Sequence, residues 1–255
     1  MGRLEGQVGI ILGASSGMGR ATALAYASEG AKIAVAARRQ AELDELAKEV
    51  KAAGGEALAL AADVSKRTDL DRVVGKTLER FGKVDALVNA AGVNVRGRQL
   101  ASLDQEGWDK IIAINLTGAF HAMQAVLPAM RRQKTGLIIH ISSISGLWGD
   151  FSGVAYQASK HGMVGLANAA RMEEQQNGIR ITVVYPGLCD TPILKNRVVP
   201  PTPEERAVMM TADDIAQACV FAASLPPRTY VSDLVLMPTA LQCNGNPTGT
   251  LPFRK

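Results

Sequence analysis

Seven short apolar runs recur along the chain: "VGIIL", "KIAVA", "ALALA", "ALVNA", "LIIHI", "ITVVY" and "DLVLM". Most are continuous rather than alternating, the pattern of strands covered on both faces. Most intervals between them hold a mixed segment of helical length, such as "QAELDELAKEVKAA" and "SKRTDLDRVVGKTLERF". Strand and helix in alternation predict an α/β fold, a doubly wound seven-stranded parallel sheet with right-handed crossovers and helices on both faces. One region breaks the rhythm. From Asp190 to Thr211 four prolines interrupt the helical pattern, and a new helix begins near Asp213. An insertion after the sixth strand lies on the side where open α/β sheets bind ligands, so it reads either as a substrate lid or as an ordinary surface excursion.

Composition narrows the picture. With 255 residues, 47% hydrophobic and 20% charged, the chain is expected to fold as one domain over 1–255, ending in an irregular tail over 238–255. The formal charge of +4 comes without a block of like charges, and only 4% of residues are aromatic, which disfavours a nucleic-acid surface and points to a small phosphate as the acidic partner. Cys189, Cys219 and Cys243 are widely separated and lack Cys-x-x-Cys spacing, which argues against a disulfide framework or a zinc site. The N-terminal apolar run is too short for a secretory signal and no segment is expected to reach transmembrane length. These features predict a soluble cytoplasmic protein.

In "GIILGASSGMGRATALAYASEGA" a strand leads to Gly13, Gly17 and Gly19 and then to a helix carrying Met18, Ala21, Leu24 and Ala25 at helical spacing. Glycines let the backbone turn sharply and approach a ligand, while the free N–H groups and dipole of a helix start attract a pyrophosphate. A glycine triplet alone says little; directly between the first strand and first helix of a repeating α/β chain it points to a dinucleotide, with Ser15, Ser16 and Met18 in the same turn. Farther along, "YQASK" sets Tyr156 and Lys160 four residues apart. On a helix this puts an ammonium beside a phenol, and a cation there favours the phenolate.

With the spacing G-x-x-x-G-x-G, "VNAAG", the serine-rich "HISSISG" and "YQASK" in this order, the chain resembles the short-chain dehydrogenase/reductases from about Gly6 to Leu236. The resemblance implies a Rossmann fold and a catalytic tetrad of Asn115 in "IIAINLTGAF", Ser143, which stands thirteen positions before the tyrosine, Tyr156 and Lys160. Tyr156 would exchange the proton, Ser143 would hydrogen-bond the substrate oxygen, and Lys160 would lower the tyrosine pKa and hold the nicotinamide ribose. It also implies cofactor contacts from Asp63 and Val64, from Asn89, Ala90 and Gly92, and from Pro186, Gly187, Leu188 and Thr191 in "YPGLCDT".

Charge at the end of the second strand selects the nucleotide. The chain reads "AVAARRQ", with Ala37 where NAD-binding relatives carry an acid and Arg38 and Arg39 following. Guanidinium groups would bind a 2'-phosphate, with Ser15 adding a hydroxyl, so NADP(H) is expected over NAD(H). The implied activity interconverts a carbonyl compound and an alcohol by hydride transfer; the alternatives are an NAD(H)-preferring dehydrogenase of the same family and a non-catalytic dinucleotide-binding regulator. Val93, Asn94, Leu147, Trp148 and Phe151 are candidates for the wall of a substrate pocket, Trp148 equally for a packing or subunit contact. The three histidines, His121, His140 and His161, lack a paired metal-binding motif and read as structural. Two departures stand out: Leu12 replaces a common threonine, and the end of the chain lacks the family's glycine pair. Helices spanning Trp108 to Met130 and Val154 to Met172 are the family's usual subunit contacts, which implies a homodimer or homotetramer.

Overall fold

In the computed structural model, residues 2–197 and 199–241 are described. All seven predicted strands form: β1 Val8–Leu12, β2 Lys32–Ala37, β3 Ala57–Ala61, β4 Ala86–Asn89, β5 Gly136–Ile141, β6 Ile179–Pro186 and β7 Asp233–Leu236. They join one parallel sheet in the order β3-β2-β1-β4-β5-β6-β7. Among the described residues eight α-helices connect them: α1 Gly17–Ser28, α2 Gln40–Ala52, α3 Arg67–Phe81, α4 Gln105–Ile111, α5 Gly118–Gln133, α6 Val154–Glu174, α7 Pro203–Ala207 and α8 Ala212–Ser224.

Continuous apolar runs are needed because neighbouring residues of one strand feed opposite cores. Ile11, Val35, Ile139 and Val184 pack with Tyr26, Leu43, Leu46 and Cys219 of α1, α2 and α8. Ile10, Ala34, Ile138 and Val183 pack on the other face with Leu70, Val73, Met123, Val126 and Ala167 of α3, α5 and α6. Each fully buried Ile, Leu or Val contributes about 1.5–3 kcal/mol of transfer free energy. The two edge strands differ: β3 is half-buried throughout and β7 alternates exposed with half-buried positions, because an edge is covered less completely.

The chain order reverses between β1 and β4, which lie side by side, and the crevice at their carboxyl ends is where such sheets bind ligands. The insertion after β6 is tied down over that end. Cys189 bridges Met210, Asp190 N donates to Met210 O, and Arg206 Nη1 donates to Asp190 Oδ1 at 2.8 Å. A capping box from Thr202 and Glu205 starts α7, while the Asp214 carboxylate accepts the Thr211 N–H at the start of α8, one residue before the expected point. Of the expected tail, residues 242–255, with Cys243, lie outside the described residues.

The expectation that no segment reaches transmembrane length is corrected. Residues Gln105–Gln133 form one helical run of 29 residues, with a window of mean hydropathy 1.4, long and apolar enough to cross a membrane by length and composition. Three consecutive pieces, α4, a π-helical turn Ile112–Thr117 and α5, continue one another without a break. The apolar side packs on the sheet through Ala122, Met123, Val126 and Met130.

Candidate active site

A cavity of about 340 Å³ opens at the carboxyl ends of β1 and β4. Its floor is the turn from β1 to α1, where Gly13, Ser15, Ser16, Gly17 and Met18 line the wall. Gly13 has φ +76°, and a Cβ there would come within 2.8 Å of Ala90 C. Gly19 lies behind the turn: a Cβ on it would sit 2.3 Å from Gly13 O, so its absence lets α1 approach β1. Leu12 is buried in the core, and the turn is held instead by Gly13 N and Ala14 N donating to Ala36 O. Ser16 precedes α1 without capping it by its side chain, which leaves first-turn N–H groups available to an anionic acceptor.

One end of the cavity is basic. Ala37, Arg38 and Arg39 line it directly after β2. Arg39 Nη2 donates to Ser15 Oγ at 2.9 Å, and its Nη1 pairs with Glu42 at 2.9 Å. Arg38 is exposed and makes no hydrogen bond or ion pair among the described residues. Asp63 and Val64 form part of the facing wall. Asp63 Oδ1 accepts from Ser65 N and Oγ, at 3.0 and 2.7 Å. Its backbone N–H donates to Asp69, whose carboxyl it holds below the usual range.

Ala90, Ala91, Gly92 and Val93 carry the wall inward from β4. Asn89 turns away into the sheet, where its amide lies 3.4 Å from His140 Nδ1 and its Oδ1 accepts from Ala91 N. Thr191 lines the cavity, whereas Pro186, Gly187 and Leu188 stand behind it: Gly187 N donates to Leu236 O, and Leu188 O accepts from Met210 N. In their place the insertion brings Pro192, Ile193 and Asn196 to the wall. Sequence reading missed these three; the signal available was the abrupt proline-rich stretch right after the cofactor-side loop.

The inner end brings the tyrosine and lysine of "YQASK" together. Tyr156 and Lys160 lie one turn apart on α6, with Lys160 Nζ 5.5 Å from the phenol ring centroid. Lys160 is buried and donates to Ile141 O at 3.0 Å, and a Cβ on Gly92 would come within 3.6 Å of its Nζ. Burial pushes the ammonium down to about 8. The phenol, expected below its ordinary value, is instead pushed up to about 12: burial dominates, the Asp150 charge adds to it, and the Ser143 hydroxyl acts in the lowering direction. Ile141 and Ser142 line the cavity and Ser143 follows them, its Oγ accepting from Ser145 N at 3.1 Å.

Asn115 sits fully buried in the π-helical turn. Its Oδ1 accepts from Val93 N at 2.8 Å, and its Nδ2 donates to Val93 O at 3.0 Å and Ser159 Oγ at 3.1 Å. The amide thus clamps the loop after β4 to the helix that carries Tyr156. Such π turns within a helix are frequent at functional sites. Among the candidate pocket residues, Asn94 is buried and donates to Ser152 O, Leu147 packs against the core, and Trp148 and Phe151 are exposed. His121 contacts Val64 O and His161 contacts Gln157 O, while His140 is buried in β5 and pushed down to about 3 by burial, with the Lys160 and Arg171 charges adding.

Comparison with known proteins agrees with this geometry. The family model described as short chain dehydrogenase matches residues 7–200. The chain is 34% identical over 241 residues to a 3-oxoacyl-[acyl-carrier-protein] reductase, FabG, of Thermotoga maritima, covering 92% of this chain and 96% of the relative. A metagenomic short-chain oxidoreductase solved in complex with NADP superposes with a TM-score of 0.80 at 34% identity, covering 93% of this chain and 99% of that one. The crystal structure of levodione reductase gives a TM-score of 0.85 at 31% identity, over 92% and 97% of the two chains.

Proposed function

The chain belongs to the short-chain dehydrogenase family, oxidoreductases acting on CH–OH or carbonyl groups, and on that premise we propose that it is an NADP(H)-dependent enzyme interconverting a ketone or aldehyde and its alcohol, with Tyr156 as general acid and base. The observation that carries this reading is the pairing of the two ends of one cavity: Arg38 and Arg39 lining the nucleotide end, and Tyr156 with Lys160 at the other. The residues fit the group. Gly13 and Gly17 take the left-handed backbone that the turn beneath the cavity requires, α1 offers uncapped N–H groups, and Arg38 and Arg39 suit a 2'-phosphate that the carboxylate of an NAD site would repel. Two of the relatives are named as reductases and one solved neighbour holds NADP.

When bound, the nicotinamide supplies or takes up the hydride. The chain's own residues manage the oxygen. In reduction Tyr156 gives its hydroxyl proton to the carbonyl oxygen, a role that suits a phenol kept protonated by burial. Ser143, beside it, hydrogen-bonds the same oxygen as charge builds there. Lys160, with its pKa near 8, is still largely cationic at neutral pH and favours the phenolate left behind. Asn115 holds Val93 and, through Ser159, the start of α6, so the two walls of the reacting end keep a fixed separation.

This reading makes the chain a cytoplasmic homodimer or homotetramer assembled through the helices at 108–130 and 154–172, whose Phe120 and Met172 are exposed; sedimentation velocity reports the state. The deciding experiment is a screen of NADPH oxidation against aldehydes, ketones, keto esters and quinones, run in parallel with NADH. Turnover with NADPH in at least one class supports the proposal. Tight NADPH binding with no turnover across all four overturns it.

A further inference from the structure

Arg98, on the loop between β4 and α4, is half-buried between two segments that bound the reacting end of the cavity. Its backbone is seated on the start of the helix that carries Tyr156. Val154 N donates to Arg98 O at 3.3 Å, and Gly153, with φ +101°, lies so close that a Cβ there would come within 2.6 Å of Arg98 Cβ. From this seat the side chain reaches across to the insertion after β6, where its Nη2 donates to Asn196 O at 3.2 Å. Asn196 is itself part of the cavity wall.

That tie occupies one nitrogen of a planar fork built to bind with two. The guanidinium forms no ion pair among the described residues. The acid whose charge reaches it is Asp150, and both Asp150 oxygens are committed elsewhere: Oδ2 accepts from Ser145 Oγ at 2.5 Å and Oδ1 from Ser152 N at 2.9 Å. Burial works against the Arg98 charge more than Asp150 supports it. The start of α6 adds positive potential at the same place, since it has no side-chain cap and no acid in its first turn. Holding a cation partly out of water beside that helix end costs free energy, of which one neutral carbonyl recovers only a part. A neutral amide side chain could staple the loop to Asn196 O without that cost, so the charge itself calls for an anion.

We propose that Arg98 determines substrate specificity: the carbonyl compound taken by this site is an oxo acid, whose carboxylate pairs with the Arg98 guanidinium while its carbonyl group meets Tyr156. This rests on the reading of Tyr156 as general acid and base and names the substrate class of that same site. In reduction the carbonyl carbon gains the hydride of the bound NADPH, the oxygen gains the Tyr156 proton, and the carboxylate emerges unchanged in a hydroxy acid. A carboxylate accepts two parallel N–H bonds from a guanidinium, so the contact that binds the acid also orients its carbonyl. The methyl ester of the same acid has neither the charge nor the second equivalent oxygen.

The test uses matched pairs on the full chain: oxopentanoates with the carbonyl α, β or γ to the carboxylate, each against its methyl ester, with NADPH oxidation giving kcat/KM. In the wild type at least one acid exceeds its ester by roughly ten- to a hundredfold, the size of a charge-assisted contact, and the lead shrinks as salt is added. Arg98→Met lowers kcat/KM for that acid by a similar factor, mainly through KM, and leaves the ester nearly unchanged. Arg98→Lys keeps the charge without the fork and retains part of the preference. The wild-type comparison needs no variant, so it decides by itself if Arg98→Met folds poorly. Esters that match or exceed their acids throughout, or an Arg98→Met that lowers acid and ester alike, make Arg98 a staple between loops and overturn the inference, while turnover of the esters leaves the Tyr156 reading standing. Absence of turnover with all six compounds overturns it too when other ketones are reduced; when no carbonyl compound of any class is reduced, the underlying reading falls with it.

Discussion

Burial and the Asp150 charge push the Tyr156 phenol up while the Ser143 hydroxyl pulls it down, and with burial dominant the group holds its proton at neutral pH. Replacing Tyr156 by Phe removes the proposed proton donor and keeps the ring; kcat should fall roughly a hundred- to ten-thousand-fold, with NADPH affinity by fluorescence titration unchanged. Lys160 loses its proton as pH rises through about 8, so reduction should decline above that value in an initial-rate pH profile while still saturated with NADPH. At the other end, Ala37→Asp puts a carboxylate beside the two arginines proposed to take the 2'-phosphate. The ratio of kcat/KM for NADPH over NADH should drop at least about tenfold, the equivalent of ~1.4 kcal/mol. The Tyr156 and Lys160 spacing was legible because a helix brings positions four apart together whatever surrounds it. The sign of the phenol's shift was not, because it depends on how deeply the later fold buries the pair.

Elements were legible to different depths. The five inner strands announced themselves as unbroken apolar runs because both faces are covered, and even the half-covered β3 and β7 kept enough of the pattern. The π-helical turn at Ile112–Thr117 left no comparable trace: one extra residue per turn does not disturb composition, yet it lets the Asn115 amide reach both backbone groups of Val93. Asn115→Ala leaves those two groups short of partners and should cost about 1–3 kcal/mol in urea denaturation, with a larger loss in kcat than in NADPH affinity. The close seat of α1 against β1 is as demanding. Gly19→Ala would drive a methyl into Gly13 O, so it should lower stability by about 1–3 kcal/mol and weaken NADPH binding together.

At the scale of the whole molecule, the doubly wound sheet and its switch between β1 and β4 followed from the alternation of runs; the insertion after β6 was legible as a proline-rich break, but that Pro192, Ile193 and Asn196 are the residues reaching the wall follows from tertiary placement. Stability carries a pH signature of the buried core. His140 is pushed down to about 3 from 6.5, so between these values the unfolded chain binds a proton that the folded chain refuses. The associated stability is whole above about 6.5 and drains as pH falls toward 3. The Glu174 carboxyl, held low by Arg131, adds a loss in the same direction as pH falls through its folded value. Calorimetry should therefore show Tm falling steadily below neutral pH, and His140→Asn should flatten that slope even though it lowers Tm near neutrality. Three loops meet over the reacting end: Asn94 donates to Ser152 O, Asn196 Nδ2 donates to Asn94 O, and Arg98 donates to Asn196 O. These seams tie the loops to one another rather than to the strands beneath. The roof can consequently be exchanged as a cassette from a homologous chain, changing what the enzyme accepts while the sheet that seats the nucleotide stays untouched.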